Sequence, residues 1–234
     1  MLFRSQRTSV RIRAGLLSDN MKLLLTSNGL CNKSLANALK KLVKGQIKIA
    51  FIPTAANIVE EDKSWLISDL VNCQKLGTVD IVDISALPKA IWLPRLKKAN
   101  VIVVGGGDSS HLMKCIVSSG LNKELPKLLK KKIYVGISGG SNVTNKTIQA
   151  SYKFIFGNKK APEGLGFVDF YLRPHLNSPK PLFKKIRDKN IKKAAERFDS
   201  DLYAIDDETG VLVDGNRIEI ISEGKWKIYK RKNK

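Results

Sequence analysis

Short, almost wholly apolar segments alternate with amphipathic ones along most of this chain. Val101–Val104 and Ile133–Ile137 are such apolar segments, and between them Ser109–Ser118 carries apolar residues at helical spacing. Strands of this kind are typical of a parallel sheet that is buried on both faces. The alternation therefore predicts an α/β fold with three layers, in which a doubly wound, mostly parallel sheet has helices on both faces.

The second half of the chain has a different pattern. The predicted elements there are strands at 164–172, 202–205, 210–213, 217–221 and 225–229, and a basic amphipathic helix at 181–198. Asp214-Gly215 and Glu223-Gly224 separate the last three strands and are typical of hairpin turns. We therefore expect the sheet to end in a C-terminal antiparallel strand meander, and residues 21–234 to form a single domain.

Residues 1–20 differ in composition from the remainder, because they hold four arginines and no acidic residue before Asp19. An arginine-rich, acid-poor segment resembles a transit peptide. Met21 and the apolar residues after it read equally well as the natural start of a first strand. We expect residues 1–20 to be an N-terminal extension that is either disordered or upstream of the true start.

Composition excludes several classes of protein. No apolar run approaches the roughly 18–20 residues of a transmembrane helix, so we expect no membrane partner. Three widely spaced cysteines give neither a disulfide framework nor a CxxC metal site, which favours a reducing, cytoplasmic location. Two histidines cannot form a three-histidine zinc site, and we expect neither a metal nor a cofactor.

The formal net charge of +21 permits a polyanionic partner. The lysines are scattered along the predicted helices, however, and no nucleic-acid motif accompanies them. We therefore interpret the charge as a lysine-rich surface and expect no specific nucleic-acid partner.

Ser138 lies in a Gly136-x-Ser138-x-Gly140 pattern that follows a predicted buried strand and precedes a helix-compatible segment. A serine at such a strand-to-helix turn can adopt the strained geometry that exposes a nucleophilic hydroxyl. The amides at the start of the next helix would then favour a developing oxyanion. The alternative is a turn of small residues that only packs the helix on the sheet.

A second glycine loop, Gly105-Gly106-Gly107-Asp108, also follows an apolar strand and opens a helix. Parallel strands present such loops at one edge of the sheet, where ligands usually bind. The loop can donate amides to an oxyanion beside the amide of Gly139. Phosphate binding is the alternative, although the loop lacks the lysine of a P-loop and the GxGxxG spacing.

His175 is the candidate base, because a serine hydroxyl needs an adjacent base and histidine is the usual one. It follows a predicted strand and Pro174, which restricts the backbone there. The neighbouring Arg173 is either a clamp for a substrate carboxylate or a surface ion-pair partner. We expect Asp108 and Arg173 to contact the substrate.

The glycine loop GGGD, the segment YVGISGGSN and the later LRPHLNS resemble the peptidase E (alpha-aspartyl dipeptidase) and cyanophycinase family of serine peptidases over about residues 21–215. The resemblance implies a class I glutamine amidotransferase-like fold, with Ser138 as nucleophile and His175 as general base. It also implies an oxyanion hole formed by the amides of Gly106 or Gly107 and of Gly139. Members of this family cleave small peptides, commonly with an N-terminal aspartate, and need no metal.

Two positions depart from the family's pattern. Gly139 stands where the family usually has alanine. The family's triad acid lies beyond the serine, but residues 145–157 contain no Asp or Glu and hold Ser151 and Lys153 instead. The acid must come from elsewhere or be absent. The candidates are Asp207 first, with Asp206 and Glu208 beside it as alternatives, and Asp169.

The sequence thus predicts a cytoplasmic serine peptidase, monomeric or homodimeric, that hydrolyses a dipeptide or short peptide through an acyl-enzyme on Ser138. The missing acid motivates an alternative, a catalytically weak or inactive member of the same fold that binds peptides or small molecules. A polyanion-binding protein is a third hypothesis, which rests on charge alone.

Overall fold

The computed structural model of this protein describes residues 9–11, 21–60, 62–157 and 159–231, which form eleven strands and seven α-helices. The strands are β1 (Ser9–Arg11), β2 (Lys22–Thr26), β3 (Lys48–Ile52), β4 (Thr78–Ile81), β5 (Val101–Val104), β6 (Ile133–Ile137), β7 (Tyr171–Arg173), β8 (Leu202–Ile205), β9 (Thr209–Asp214), β10 (Arg217–Ser222) and β11 (Trp226–Tyr229). The helices are α1 (Lys33–Leu42), α2 (Ser64–Gln74), α3 (Lys89–Lys98), α4 (Ser109–Ser118), α5 (Leu121–Leu128), α6 (Gly139–Asn142) and α7 (Asp188–Ala195).

Eight strands form the main sheet in the order β1-β10-β9-β2-β6-β5-β3-β4. The run from β2 to β4 is parallel, whereas β9, β10 and β1 continue the sheet in antiparallel fashion. Every residue of β5 and β6 is buried, as expected for central strands covered on both faces. The α/β class and the mostly parallel sheet are confirmed.

Helices cover both faces of this sheet because each presents one apolar stripe to it. On one face Leu35 and Leu39 of α1 are fully buried in a core with Leu24 and Phe51. On the other face Trp92 of α3 packs in a larger core that also holds the apolar residues of α4 and α5. These are the three predicted layers.

A second, smaller sheet of order β11-β8-β7 lies beside the first. Strand β7 pairs with β8 in parallel, and β11 pairs with β8 in antiparallel fashion. Ile191 and Ala194 of α7 close a separate small core over this sheet. The segments that follow β7 and β8 carry His175 and Asp207, two of the catalytic residues predicted from the sequence.

The predicted C-terminal meander is correct for β9 and β10, which form a hairpin, but its third strand is wrong. Strand β11 leaves the main sheet and pairs with β8. The Asp206 carboxylate accepts a hydrogen bond from the Lys225 amide, and this bond ties the segment before β11 to the end of β8. The turn at Glu223-Gly224 therefore connects two sheets.

Two further boundaries differ from the prediction. The segment 164–170 is not a strand, because its amides bond the loop after α6, as Leu165 does with the Val143 carbonyl. The predicted helix at 181–198 is divided into a 3-10 turn at Pro181–Phe183 and α7. Between them the Ile186 carbonyl accepts from the Asn177 amide, which folds the chain back against the segment after His175.

Of the predicted N-terminal extension, residues 9–11 form the edge strand β1 against β10. Residues 1–8 and 12–20, to which the rest of that prediction applies, lie outside the described residues.

Candidate active site

Ser138 occupies a strained turn between β6 and α6. Its backbone has φ 48° and ψ −103°, a conformation that L-residues rarely adopt. The Ser138 amide donates to the Thr26 carbonyl at 3.0 Å, which anchors the turn to the end of β2. The ideal Cβ position of Gly136 lies 2.8 Å from the Ser141 backbone, so a larger residue there would push α6 off the strand. The geometry matches a nucleophile elbow.

His175 lies directly opposite this serine. Its Nε2 is 2.8 Å from Ser138 Oγ, and the residue is only 4% exposed. It also has a positive φ of 64°. The Phe183 ring stacks on the imidazole with centroids 3.9 Å apart and planes 6° apart, which fixes the orientation of the imidazole.

Asp207 completes the line of three residues. Its Oδ1 lies 2.6 Å from His175 Nδ1. An ionised carboxylate can only accept, so the imidazole proton resides on Nδ1 and leaves Nε2 free to accept from the serine hydroxyl. Of the acids proposed from the sequence, this is the one that the structure brings to His175.

The other candidate acids have different contacts. Asp206 accepts from the Glu208 amide and from the Thr209 hydroxyl and thereby shapes the turn. Glu208 accepts from the Asn32 side chain at 3.0 Å, at the surface. Asp169 is exposed and makes no described hydrogen bond to His175.

The surroundings of Asp207 and His175 favour an ionised carboxylate and a neutral imidazole. Burial raises the pKa of Asp207, but hydrogen bonds from His175 and from two serine hydroxyls outweigh it and leave that pKa well below its usual range. Burial lowers the pKa of His175, an effect that Asp207 partly offsets. At neutral pH the pair therefore consists of an ionised carboxylate and a neutral imidazole.

Sequence reasoning missed two serines at this site. Ser27 Oγ donates to Asp207 Oδ1 at 2.9 Å and accepts from the His175 amide at 2.9 Å. Ser178 Oγ donates to Asp207 Oδ2 at 2.7 Å. Ser27 could have been found by topology, since it follows β2, which pairs with β6 in parallel. No local pattern marks Ser178.

The glycine loop after β5 lies beside Ser138, as the parallel pairing of β5 with β6 requires. Gly107 has φ 129° and its ideal Cβ position lies 2.1 Å from the Ala55 carbonyl oxygen, so only glycine fits. No hydrogen bond among the described residues uses the amides of Gly106, Gly107 or Gly139. All three residues line the cavity that contains Ser138, which leaves their amides available to an oxyanion.

Gly139 packs tightly against this loop. A Cβ at Gly139 would lie 2.7 Å from the Gly107 carbonyl oxygen. An alanine at this position would therefore displace the loop in this chain.

The cavity has a volume of about 600 Å³ and includes Asp108 and Arg173 in its lining. Arg173 is only 1% exposed, so the alternative of a surface ion pair is wrong. Its guanidinium donates to the carbonyls of Pro174 and Ala150, and no carboxylate among the described residues pairs with it. Burial lowers its pKa to about 9. Asp108 accepts from the His111 amide at 2.7 Å and so caps α4.

Two buried polar atoms of the cavity lining have no hydrogen-bond partner among the described residues. They are Ser151 Oγ and Asn142 Oδ1, on residues that are 5% and 3% exposed. Buried polar groups are normally paired, so a ligand in the cavity would supply what these atoms lack.

The described part of the chain contains no group of three or more His, Cys, Asp or Glu side chains placed to hold a metal ion. None of its helices combines the length and the apolarity that crossing a membrane requires.

Comparison with known proteins gives a consistent result. The family model of peptidase family S51 matches residues 23–221. Peptidase E of Streptomyces coelicolor is 25% identical over 143 residues, which cover 59% of this chain and 59% of that protein. A Drosophila melanogaster protein assigned as an alpha-aspartyl dipeptidase is 24% identical over 140 residues, which cover 58% of each chain. These matches thus span less than two thirds of either relative.

A solved structure extends the match across the fold. The crystal structure of a protein from Listeria monocytogenes EGD-e, assigned to peptidase E, superposes with a TM-score of 0.67. The superposition covers 91% of this chain and 99% of the other at 22% identity, so it shows a shared fold.

Proposed function

We propose that this chain, which belongs to peptidase family S51, is a serine peptidase that hydrolyses a dipeptide or other short peptide. The observation that carries the proposal is the line of contacts from Ser138 Oγ through His175 to Asp207, with distances of 2.8 Å and 2.6 Å. The family match confirms the resemblance seen in the sequence. The peptidase names of the relatives support the same activity.

In the proposed mechanism His175 Nε2 takes the hydroxyl proton while Ser138 Oγ bonds to the scissile carbonyl carbon. Asp207 holds the Nδ1 proton and stabilises the imidazolium that forms. The carbonyl oxygen becomes an oxyanion, which the amides of Gly106 or Gly107 and of Gly139 would stabilise. His175 then gives its proton to the leaving amine. Water, activated by the same base, hydrolyses the acyl-enzyme and restores the serine.

A substrate with a carboxylate near the scissile bond fits the cavity best. Arg173 is a buried cation without a carboxylate partner among the described residues, and guanidinium matches carboxylate geometry. We propose that it clamps such a group, and that Asp108 supports substrate binding by fixing the glycine loop. A peptide with an N-terminal aspartate meets this requirement, in keeping with the alpha-aspartyl dipeptidase assignment of the Drosophila relative.

Residues 145–157 contain no Asp or Glu that could be the triad acid, which is the argument for an inactive binding protein. Asp207 offers a carboxylate to His175 from a different loop, which favours the peptidase. We further propose that the protein acts in the cytoplasm as a monomer or homodimer, without a specific nucleic-acid partner. The three free thiols support that location.

Hydrolysis of the dipeptide Asp-Leu tests the proposal. We expect the wild-type protein to release free leucine and the Ser138→Ala variant to lose at least about 10⁴-fold in kcat. Ser118→Ala, at an exposed serine at the end of α4, is the matched control and should retain full activity. Equal hydrolysis by the wild-type and Ser138→Ala proteins would refute the nucleophile.

A further inference from the structure

The cavity around Ser138 contains a second carboxylate that the proposed triad does not use. Asp69, on α2, lines this cavity and is only 6% exposed. Within the described ranges its carboxylate has neither a hydrogen-bond donor nor a cation within 4 Å. Asp69 therefore differs from Asp207, which has three described donors.

An unpaired carboxylate is costly at this depth. Burial raises the pKa of Asp69 to about 7, and the charge of Lys180 lowers it only in part. Lys180 itself is exposed, and its Nζ lies 3.5 Å from Asn28 Oδ1. A carboxylate that is buried without a partner destabilises the folded state. A cationic ligand in the cavity would supply the missing partner.

Asp69 lies next to the nucleophile elbow. The ideal Cβ position of Gly29 is 2.7 Å from Asp69 Oδ1 and 3.2 Å from Ile137 Cδ1, and Ile137 directly precedes Ser138. Trp65, one turn earlier on α2, likewise lies 3.6 Å from the ideal Cβ position of Gly106, which is 3.3 Å from Ser138 Cβ. One face of α2 therefore lines the cavity along the elbow.

The chemistry of an N-terminal residue fits this placement. Its ammonium nitrogen is separated from the attacked carbonyl carbon by the α-carbon alone, so a group that binds the ammonium must lie close to the nucleophile. Asn28 also lines the cavity and offers a neutral amide oxygen. Arg173 gives the same cavity a cation for a carboxylate, so the lining carries both charges that a peptide with an unblocked N-terminal aspartate requires.

We propose that Asp69 binds the free α-ammonium group of the peptide, with Asn28 Oδ1 as a second acceptor, and so selects peptides whose first residue is unblocked. This inference rests on the proposed peptidase function and adds the residue that recognises the peptide's amino terminus. Asp69 is a specificity residue and takes no part in proton transfer.

Binding to the catalytically inactive Ser138→Ala protein tests the inference, with Asp-Leu and N-acetyl-Asp-Leu as probes in titration calorimetry. We expect Ser138→Ala to bind Asp-Leu more tightly than the acetylated peptide. Adding Asp69→Asn should weaken Asp-Leu binding by about ten- to a hundredfold, the usual loss of a charged hydrogen bond, and change binding of the acetylated peptide less than about twofold. Adding Asp214→Asn, which removes an exposed charge at the opposite edge of the sheet, should change neither.

Thermal unfolding separates recognition from a structural role. Because Asp69→Asn removes a buried unpaired carboxylate, its melting temperature should equal or exceed that of the parent protein. A lower melting temperature together with equal losses for both peptides would show that Asp69 is structural and would overturn the inference. Unchanged binding of Asp-Leu would overturn it as well.

Two more outcomes separate this inference from the proposed function. If Asp69→Asn weakens binding of N-acetyl-Lys-Leu, Asp69 recognises a basic side chain and the assignment to the amino terminus is wrong. If Ser138→Ala binds no Asp-Leu while a fluorophosphonate labels Ser138 in the wild-type protein, the recognition model fails and the nucleophile stands. Failure of that labelling would overturn both.

Discussion

The two halves of the candidate active site are held in place by different kinds of interaction. Ser138 is fixed by the main chain, through a strand-to-helix turn whose amide bonds the end of β2. His175 and Asp207 follow two strands of the small sheet. The hydroxyls of Ser27 and Ser178 donate to Asp207, and Ser27 Oγ also accepts from the His175 amide. The first half depends on backbone shape and close packing, and the second half depends on charge and hydrogen bonding.

This difference predicts how substitutions in each half should affect folding and catalysis. A change in the base–acid half should remove catalysis with little effect on folding, because it alters a charge and leaves the packing intact. An added side chain in the elbow half should affect folding and catalysis together, because the same close contacts position the glycine loop.

The largest effect is expected from Asp207→Asn. The amide cannot hold the imidazole in the required tautomer, so kcat should fall by about 10⁴-fold. Circular dichroism should stay that of a folded protein, and the melting temperature should fall only modestly, because the folded state stabilises ionised Asp207. Retention of activity within about tenfold of wild type in steady-state assays on Asp-Leu would exclude Asp207 as the triad acid.

Gly139→Ala should produce a smaller effect with a different signature. The new Cβ would lie 2.7 Å from the Gly107 carbonyl oxygen, and overpacking of this kind costs about 1–3 kcal/mol. We expect a melting temperature lower by several degrees, and a lower kcat because the shifted loop misplaces its amides. Gly157→Ala, where an added Cβ meets nothing closer than 4.0 Å, is the control and should change neither quantity. A fully stable and active Gly139→Ala variant would show that the loop adapts without cost.

The smallest effect is a displacement of the acid limb of the pH profile. The proposed mechanism needs neutral His175, and burial lowers its pKa below the usual value near 6.5. The value of kcat, which reports the enzyme–substrate complex, should therefore fall only below about pH 6.5, by tenfold per pH unit beneath the pKa. Because Asp207 raises the pKa of His175, the residual activity of Asp207→Asn should persist to still lower pH. A limb above pH 7 in the wild-type protein would contradict this electrostatic description.

The same contrast explains how much the sequence could predict. The strands that carry Ser138 and the glycine loop are short apolar runs with glycines at their ends, so local pattern located both. Parallel pairing then determined that both loops meet at one edge of the sheet.

The acid could be named only as one of several candidates, because its approach to His175 depends on contacts between distant residues. Strand β7 pairs with β8, which brings the segments after both strands together, and the predicted strand begins seven residues before the start of β7. The role of Asp206 in tying Lys225 to the turn also has no local signature. No sequence pattern marks Asp69, because an acid on a helix is ordinarily solvated, and only the fold shows that it is buried beside the elbow.

Labelling with a fluorophosphonate, followed by mass spectrometry of the modified peptide, tests the central claim most directly. The reagent reacts with a serine only when a neighbouring base activates the hydroxyl. We predict stoichiometric modification of Ser138 in the wild-type protein, none in Ser138→Ala, and strongly slowed modification in His175→Ala. Folded wild-type protein that remains unmodified, or that carries the label on another serine, would contradict the account.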